Sequence, residues 1–316
     1  MTAAAPAAVA NPCGIGVLGK IRAQGDFLRI NASDPAVLPF SRFLEDGNEL
    51  LHEANTELAA EPIGFVFAAP ESGRVLVGGL GPGIDAVGRP YPLAVFAAVA
   101  ARQLSHSFPL VPSLYRGFLV AAGGLVREAP DLSSPEIAGR LAGVPLPGTF
   151  DLALAESTAR ESRRERAADL SRRLFGDPAS GQRYYGFQTF QTACRLSRDR
   201  DPARVNVALE CPCERESDAG VWLELSRGIL RRPSVPSFFF RGPPRPALVL
   251  SLGSPSPALL PYFAASPRGH QKIWPLTTQH PAAIAAARKA LPASQLLVID
   301  AAFATVDELI CALSSG

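Results

Sequence analysis

The chain has 316 residues, of which 47% are hydrophobic and 19% charged, with a formal net charge of +2. This balance excludes an intrinsically disordered chain and leaves material for two ordinary domains or one large one. It is also too weakly basic to announce a nucleic-acid partner: residues 1–150 carry 10 basic and 13 acidic side chains, residues 151–316 carry 21 and 16, and neither half shows the single-sign stripe of a phosphate-reading surface.

Proline is abundant, with 30 residues, so short elements with many stops are expected. The five cysteines, Cys13, Cys194, Cys211, Cys213 and Cys311, are an odd number in a chain long enough to fold without staples. Reduced thiols and a cytoplasmic location follow. No membrane span is expected, because the uncharged run from Pro246 to Pro267 is broken by Gly253, Pro255, Pro257 and Pro261. The Ala/Pro-rich start, residues 1–13, reads as a disordered tail and a poor signal peptide.

Ile15–Gly19 predicts a short strand, followed by a turn around Gly25. Asp34-Pro35 then supplies an N-cap and a first-turn proline. Behind it Val37, Phe40, Phe43, Leu44, Leu50, Leu51, Ala54 and Leu58 recur at helical intervals, which predicts about six turns with one apolar face. Strands are expected at Ile63–Ala68, Val75–Leu80 and Tyr91–Val99, the first two joined by Glu71-Ser72-Gly73 as a hairpin. Helices follow over Ser113–Val126, over Ser133–Leu141 with Glu136 completing a capping box, and over Leu152–Phe175. The run Glu161-Ser162-Arg163-Arg164-Glu165-Arg166 in the last of these reads as a solvated face.

Asp177-Pro178-Ala179-Ser180-Gly181 marks the expected domain boundary, between a domain over 14–176 and a second over 182–316. The second interleaves helices near Phe187–Arg198, Val221–Leu230, Ser256-Pro257 and Pro281–Leu291 with strands at Val205–Leu209, Ser237–Phe240, Ala247–Leu252, Lys272–Leu276 and Leu296–Ile299. A last helix is capped by Thr305 with Glu308. Both domains therefore read as α/β.

Catalytic patterns are missing. Gly14-Ile15-Gly16-Val17-Leu18-Gly19 spells a dinucleotide fingerprint, but a turn and not a helix follows it. His52, His106, His270 and His280 lack metal-ligand spacing, and His52 falls beside the apolar stripe at a surface position. Cys211-Pro212-Cys213 with Cys194 offers one C-x-C and no fourth ligand, so buried, unreactive thiols are the simpler reading. No catalytic, cofactor-binding or metal-binding residue is assigned, and no cofactor is expected.

Two polar turns remain. Lys20, Gly25, Asp26 and Phe27 form the first, with Phe27 turning back to the core; Asp85, Gly88, Arg89 and Tyr91 form the second. Opposite charges could pair between them, as Asp26 with Arg89 or Lys20 with Asp85, or present themselves to a partner. The strings Gly19-Lys20, Gly25-Asp26-Phe27 and Asp85-x-Val87-Gly88-Arg89-x-Tyr91-Pro92-Leu93 resemble the signature of the type VI secretion-associated TagF family, also called ImpM. The resemblance covers about residues 14–130. Glu210-Cys211-Pro212 and Trp274-Pro275-Leu276-Thr277-Thr278 are similar to segments of longer members.

The resemblance implies a longin-like N-terminal domain, a mostly antiparallel sheet flanked by helices, ahead of the second α/β domain. It implies a bacterial cytoplasmic accessory protein, without enzymatic activity, that represses assembly of the secretion machine by binding a forkhead-associated scaffold protein. Neither nucleic acid nor stable membrane insertion is expected. Other readings are a longin-type adaptor for a small GTPase and a metal-dependent enzyme or sensor using Cys194, Cys211 and Cys213.

Overall fold

A computed structural model describes residues 14–242, 246–265 and 272–315. The tail expected over 1–13, Cys13 and His270 lie outside the described residues. In chain order the first elements are β1 (Ile15–Gly19), β2 (Leu28–Ile30), α1 (Val37–Glu53), β3 (Ile63–Ala69), β4 (Arg74–Ile84) and β5 (Pro90–Ala100). Helices α2 (Ala101–Leu104), α3 (Val111–Leu114), α4 (Arg116–Glu128), α5 (Ser134–Leu141), α6 (Thr149–Arg164), α7 (Ala167–Phe175) and α8 (Gln182–Arg198) come next. Then follow β6 (Ala208–Pro212), α9 (Glu216–Leu230), β7 (Phe238–Arg241), β8 (Ala247–Ser251), α10 (Leu259–Tyr262), β9 (Ile273–Pro275), α11 (Pro281–Ala290), α12 (Ala293–Asp300) and α13 (Val306–Ser314). The fold is mixed α/β, as the sequence predicts, with the mostly antiparallel strand pairing that the family resemblance implies for the N-terminal domain.

Two compact units form. Of the described residues, one draws on 14–101, 117–146 and 257–265, the other on 102–116, 147–242, 246–256 and 272–315. These are not the contiguous halves that a break at 176–182 would separate. Helices α6 and α7, expected to trail the first domain, belong to the second unit, where α6 packs on α3, α9 and α13.

In the first unit the strand order is β2-β1-β5-β4-β3, every neighbour antiparallel, with Arg74↔Ala100 through Ile84↔Pro90 as the longest ladder. The hairpin between β3 and β4 turns through Pro70–Ser72 and a left-handed Gly73, as Glu71-Ser72-Gly73 predicts. Helix α1 covers one face: Phe40 stacks on Phe65 at 4.9 Å and meets Phe67 edge-on at 5.1 Å. Gly16 and Gly78 sit beside Phe96 on the neighbouring strands, and a Cβ on Gly16 would reach within 2.6 Å of its ring. On the opposite face Gly79 lets α4 lie close, since a Cβ there would stand 3.0 Å from the Gly123 nitrogen.

Helix α1 is shorter than the six turns expected. It ends at Glu53, Ala54 caps it, and Asn55 takes a left-handed φ of 48°, so Leu58 lies past the helix in a bridge to Ala264. At its start Asp34 accepts from the Ala36 N–H at 3.0 Å and pairs with Arg74 at 2.8 Å, while the helix begins at Val37. Strand β2 was not expected, being three residues long with Arg29 exposed between buried Leu28 and Ile30.

In the second unit the strand order is β7-β8-β6-β9, antiparallel except for the parallel pair β6 and β9. That pair brings the two C-terminal segments of the family resemblance side by side: Glu210 is level with Pro275, and the Leu276 N–H donates to the Glu210 carbonyl at 3.0 Å. Buried Trp222 of α9 donates to the Pro212 carbonyl at 3.0 Å and packs among Phe175, Phe187 and Phe190.

Three expectations fail here. The single helix over Leu152–Phe175 is two, because Glu165 and Arg166 leave the helix to pair with the segment around Thr305 through Val306 N–H to Glu165 O and Ala167 N–H to Ala304 O, each 2.8 Å. Its charged face is not simply solvated: Arg163 pairs with Glu224 at 2.7 Å, and Glu165 pairs with Arg173. The strand expected at Leu296–Ile299 is helix α12, started by Pro292; a four-residue apolar run does not distinguish a strand from a helix with one buried side.

Candidate functional site

Asp85 ends β4 and turns the chain toward β5. Its carboxylate is fully buried, and four hydrogen bonds converge on it: Val87 N–H at 3.1 Å and Arg89 N–H at 2.9 Å on Oδ1, Lys20 Nζ at 3.0 Å and Arg89 Nε at 2.7 Å on Oδ2. Burial alone would raise its pKa. The hydrogen bonds from the Arg89 N–H, Lys20, the Arg89 guanidinium and the Val87 N–H outweigh that and hold it well below the usual carboxylate range. Gly88 supplies the left-handed φ of 86° that closes the turn, and Gly19, at φ 146°, lets β1 approach β5 where a Cβ would lie 2.4 Å from the Pro92 carbonyl.

Of the two pairings open in the sequence, Lys20 with Asp85 forms. Asp26 with Arg89 does not: the Arg89 side chain is spent on Asp85 and on the Gly25 carbonyl at 3.1 Å. Ala86 N–H to Gln24 O, 3.0 Å, ties the two turns together through the backbone. Asp26 is exposed, and among the described residues its carboxylate has no partner.

Phe27 does not turn into the core. It is 39% exposed, with its ring edge-on to buried Tyr91 at 4.7 Å, Lys20 Nζ at 5.3 Å and Arg29 at 6.0 Å. Val87, at 70% exposure, stands on the second turn. The eight signature residues thus sort into an inner frame of Lys20, Asp85, Gly88 and Tyr91 and an outer face of Gly25, Asp26, Phe27 and Arg89. Sequence reading missed Arg29 as a member of that face, its only signal being the alternation about β2, and quoted Val87 within the second string without assigning it to the site.

Beside the frame, where α1 ends, lies a cleft of about 260 Å³ with Tyr91 and Pro92 in its wall and Leu51 and Leu58 at its floor. The Tyr91 hydroxyl is buried near Ser41 without a well-formed hydrogen bond, and burial, then the charge of Glu45, raises its pKa. His52 is exposed at the cleft's edge, the surface position its place in the helix predicts.

The other motifs assemble no chemistry. Gly14–Gly19 opens no helix, since β1 runs into a turn and then β2. Among the described residues no three His, Cys, Asp or Glu side chains gather to hold a metal, and no single helix is long and apolar enough to cross a membrane. Cys194 and Cys211 are buried, and burial pushes both thiols up, whereas Cys311 is exposed. Iodoacetamide labelling read by peptide mass spectrometry is expected to modify Cys311 in native buffer and Cys194 and Cys211 only after urea unfolding; native labelling of Cys211 would contradict the packing described.

The family model of the TagF N-terminal domain, type VI secretion system-associated, matches residues 16–131, the stretch that holds both turns. Among solved structures, that of PA0076 from Pseudomonas aeruginosa PAO1 is 25% identical, covering 42% of this chain and 64% of its own, with a TM-score of 0.36. This chain therefore spans less than two thirds of that protein. No curated protein matches.

Proposed function

We propose that this chain, whose residues 16–131 match the TagF N-terminal domain model, is a type VI secretion accessory protein that acts without catalysis, in the cytoplasm, as a post-translational repressor that binds a forkhead-associated scaffold protein of the system. The observation that carries this reading is the division of labour at the two turns. Asp85 draws the inner charges into a fixed frame, and that frame holds Phe27, Val87, Asp26 and Arg89 outward. A rigid pair of turns offering an aromatic ring, an aliphatic side chain and charges of both signs is suited to reading a protein surface.

The same geometry is a poor catalytic centre. A carboxylate kept as an anion by two cations and two N–H groups is a weak general base near neutrality. The other charges of the site are paired or open to solvent.

The test is calorimetric titration of the purified chain with the forkhead-associated scaffold. Val87→Asp and Asp26→Arg alter exposed side chains that make no hydrogen bond or ion pair among the described residues, so each is expected to weaken binding roughly tenfold while the melting temperature holds. Phe27→Ala is expected to weaken binding more, but it also forfeits the edge-on contact with Tyr91, worth about 0.5–1.5 kcal/mol. Absence of binding by the unaltered chain would refute the proposed partner. Binding that survives all three changes would refute the proposed face.

A further inference from the structure

The cleft at the end of α1 has a layered chemistry. Its floor is apolar, with Leu51 and Leu58 buried, and its walls are proline-rich. Its rim is polar: Asn48, His52 and Thr56 surround the opening, and among the described residues none of their side chains has a hydrogen-bond partner. Glu57 completes the rim as a carboxylate with no ion pair among the described residues, while the rim cation Arg22 is already paired with Asp131.

Size narrows the occupant. At about 260 Å³ the cleft lies at the lower edge of the size usual for small-molecule and cofactor sites, and it is large enough to take one bulky side chain. An apolar floor under a rim of free donors and acceptors is the form of a hot-spot pocket, in which an anchor is buried and the rim meets the backbone on either side of it. The unpaired Glu57 selects a basic neighbour to that anchor. The cleft also adjoins the outer face, since Ile84 and Pro90, which line it, bracket the Asp85–Arg89 turn.

We propose that this cleft receives a bulky aliphatic or aromatic side chain from a protein partner, presented by a segment with a basic residue beside the anchor. The proposal deepens the binding reading above and rests on it only for the partner being a protein.

Methyl NMR of the full chain tests it with acetylated peptides of sequence Ala-Arg-X-Arg-Ala, X being Leu, Phe or Asp. One buried side chain with a weak ion pair gives a dissociation constant on the order of 1 mM, so titration to about 5 mM reads it. The Leu51, Leu58 and Ile84 methyl signals are expected to move with X as Leu or Phe and to stay in place with Asp. Asn48→Trp, which crowds the rim, is expected to weaken the Leu peptide at least tenfold. Glu57→Lys, an exposed change that leaves the fold intact, is expected to weaken it about threefold.

Motionless methyl signals, equal response to the Asp peptide, or indifference to Glu57→Lys overturns the proposal, whether or not Asn48→Trp folds. Scaffold binding with motionless methyl signals would overturn the cleft and leave the outer face standing. Peptide-induced shifts without scaffold binding would do the reverse.

Discussion

Asp85→Ala is expected to lower the melting temperature by on the order of 10 °C, because it strips a fully buried carboxylate from two cations and two backbone N–H groups at once. Lys20, only 12% exposed at its side chain, is then left nearly buried without a counter-ion. Arg89→Ala removes one arm of the same cluster but is expected to cost far less, since the Arg89 side chain is 63% exposed and its pairing is shared with water. Equal melting temperatures for the two variants would show that the carboxylate does not fix the turns.

The pH dependence has a definite sign. The folded carboxyl lies below its unfolded value, so the native state holds fewer protons there, and the associated stability is present above the unfolded pKa. It is lost as pH falls below about 4 toward the much lower folded value. Glu136 and Glu308, each lowered by the hydroxyl and N–H of its capping partner, act in the same window. The measurement is therefore a difference: the acid limb of an Asp85→Asn variant, followed by circular dichroism, is expected to be shallower than that of the parent chain. An identical acid limb would remove Asp85 from the account.

What the sequence made legible follows from how local each signal is. The capping box at Thr305 with Glu308 forms as read, and at Ser133 the Glu136 carboxylate takes the N–H and hydroxyl of the cap, because a few neighbouring residues decide each. The strands β3, β4 and β5 could be read from apolar runs, although β4 continues to Ile84 through Gly79, Gly81 and Gly83, where glycine hid a strand on which α4 and neighbouring backbone close in. Signals that depend on distant partners were not legible. The break between α6 and α7 is imposed by Thr305, some 140 positions away, and the boundary at 176–182 looked like a linker because its proline and glycine turn one helix into the next within a unit. At the site, Lys20 with Asp85 was one of two pairings allowed by charge. Only the register of β1 on β5 and of β5 on β4 shows why Asp85, and not Asp26, collects the cations.

Arg173→Met is expected to be as damaging in the second unit as the loss of Asp85 is in the first. The Arg173 side chain is 8% exposed and divides its guanidinium between two carboxylates, with Nη1 and Nη2 on Glu165 at 2.5 and 2.9 Å and Nε and Nη2 on Asp218 Oδ1 at 3.1 and 2.8 Å. The hydrogen bonds that Arg173 donates to the Glu165 carboxylate contribute most to raising the guanidinium's pKa, against the burial that opposes it. Asp218 in turn accepts from the Glu214 and Arg215 N–H groups at 2.9 Å and so starts α9. Removing the cation leaves a buried carboxylate facing a second one, at a cost of about 3–5 kcal/mol. Arg173→Lys keeps the charge but cannot span both forks, and is expected to recover less than half of the loss. Urea titration of both variants against the parent chain measures these losses. Full recovery by Arg173→Lys would show that charge alone, and not the shared fork, holds the two carboxylates.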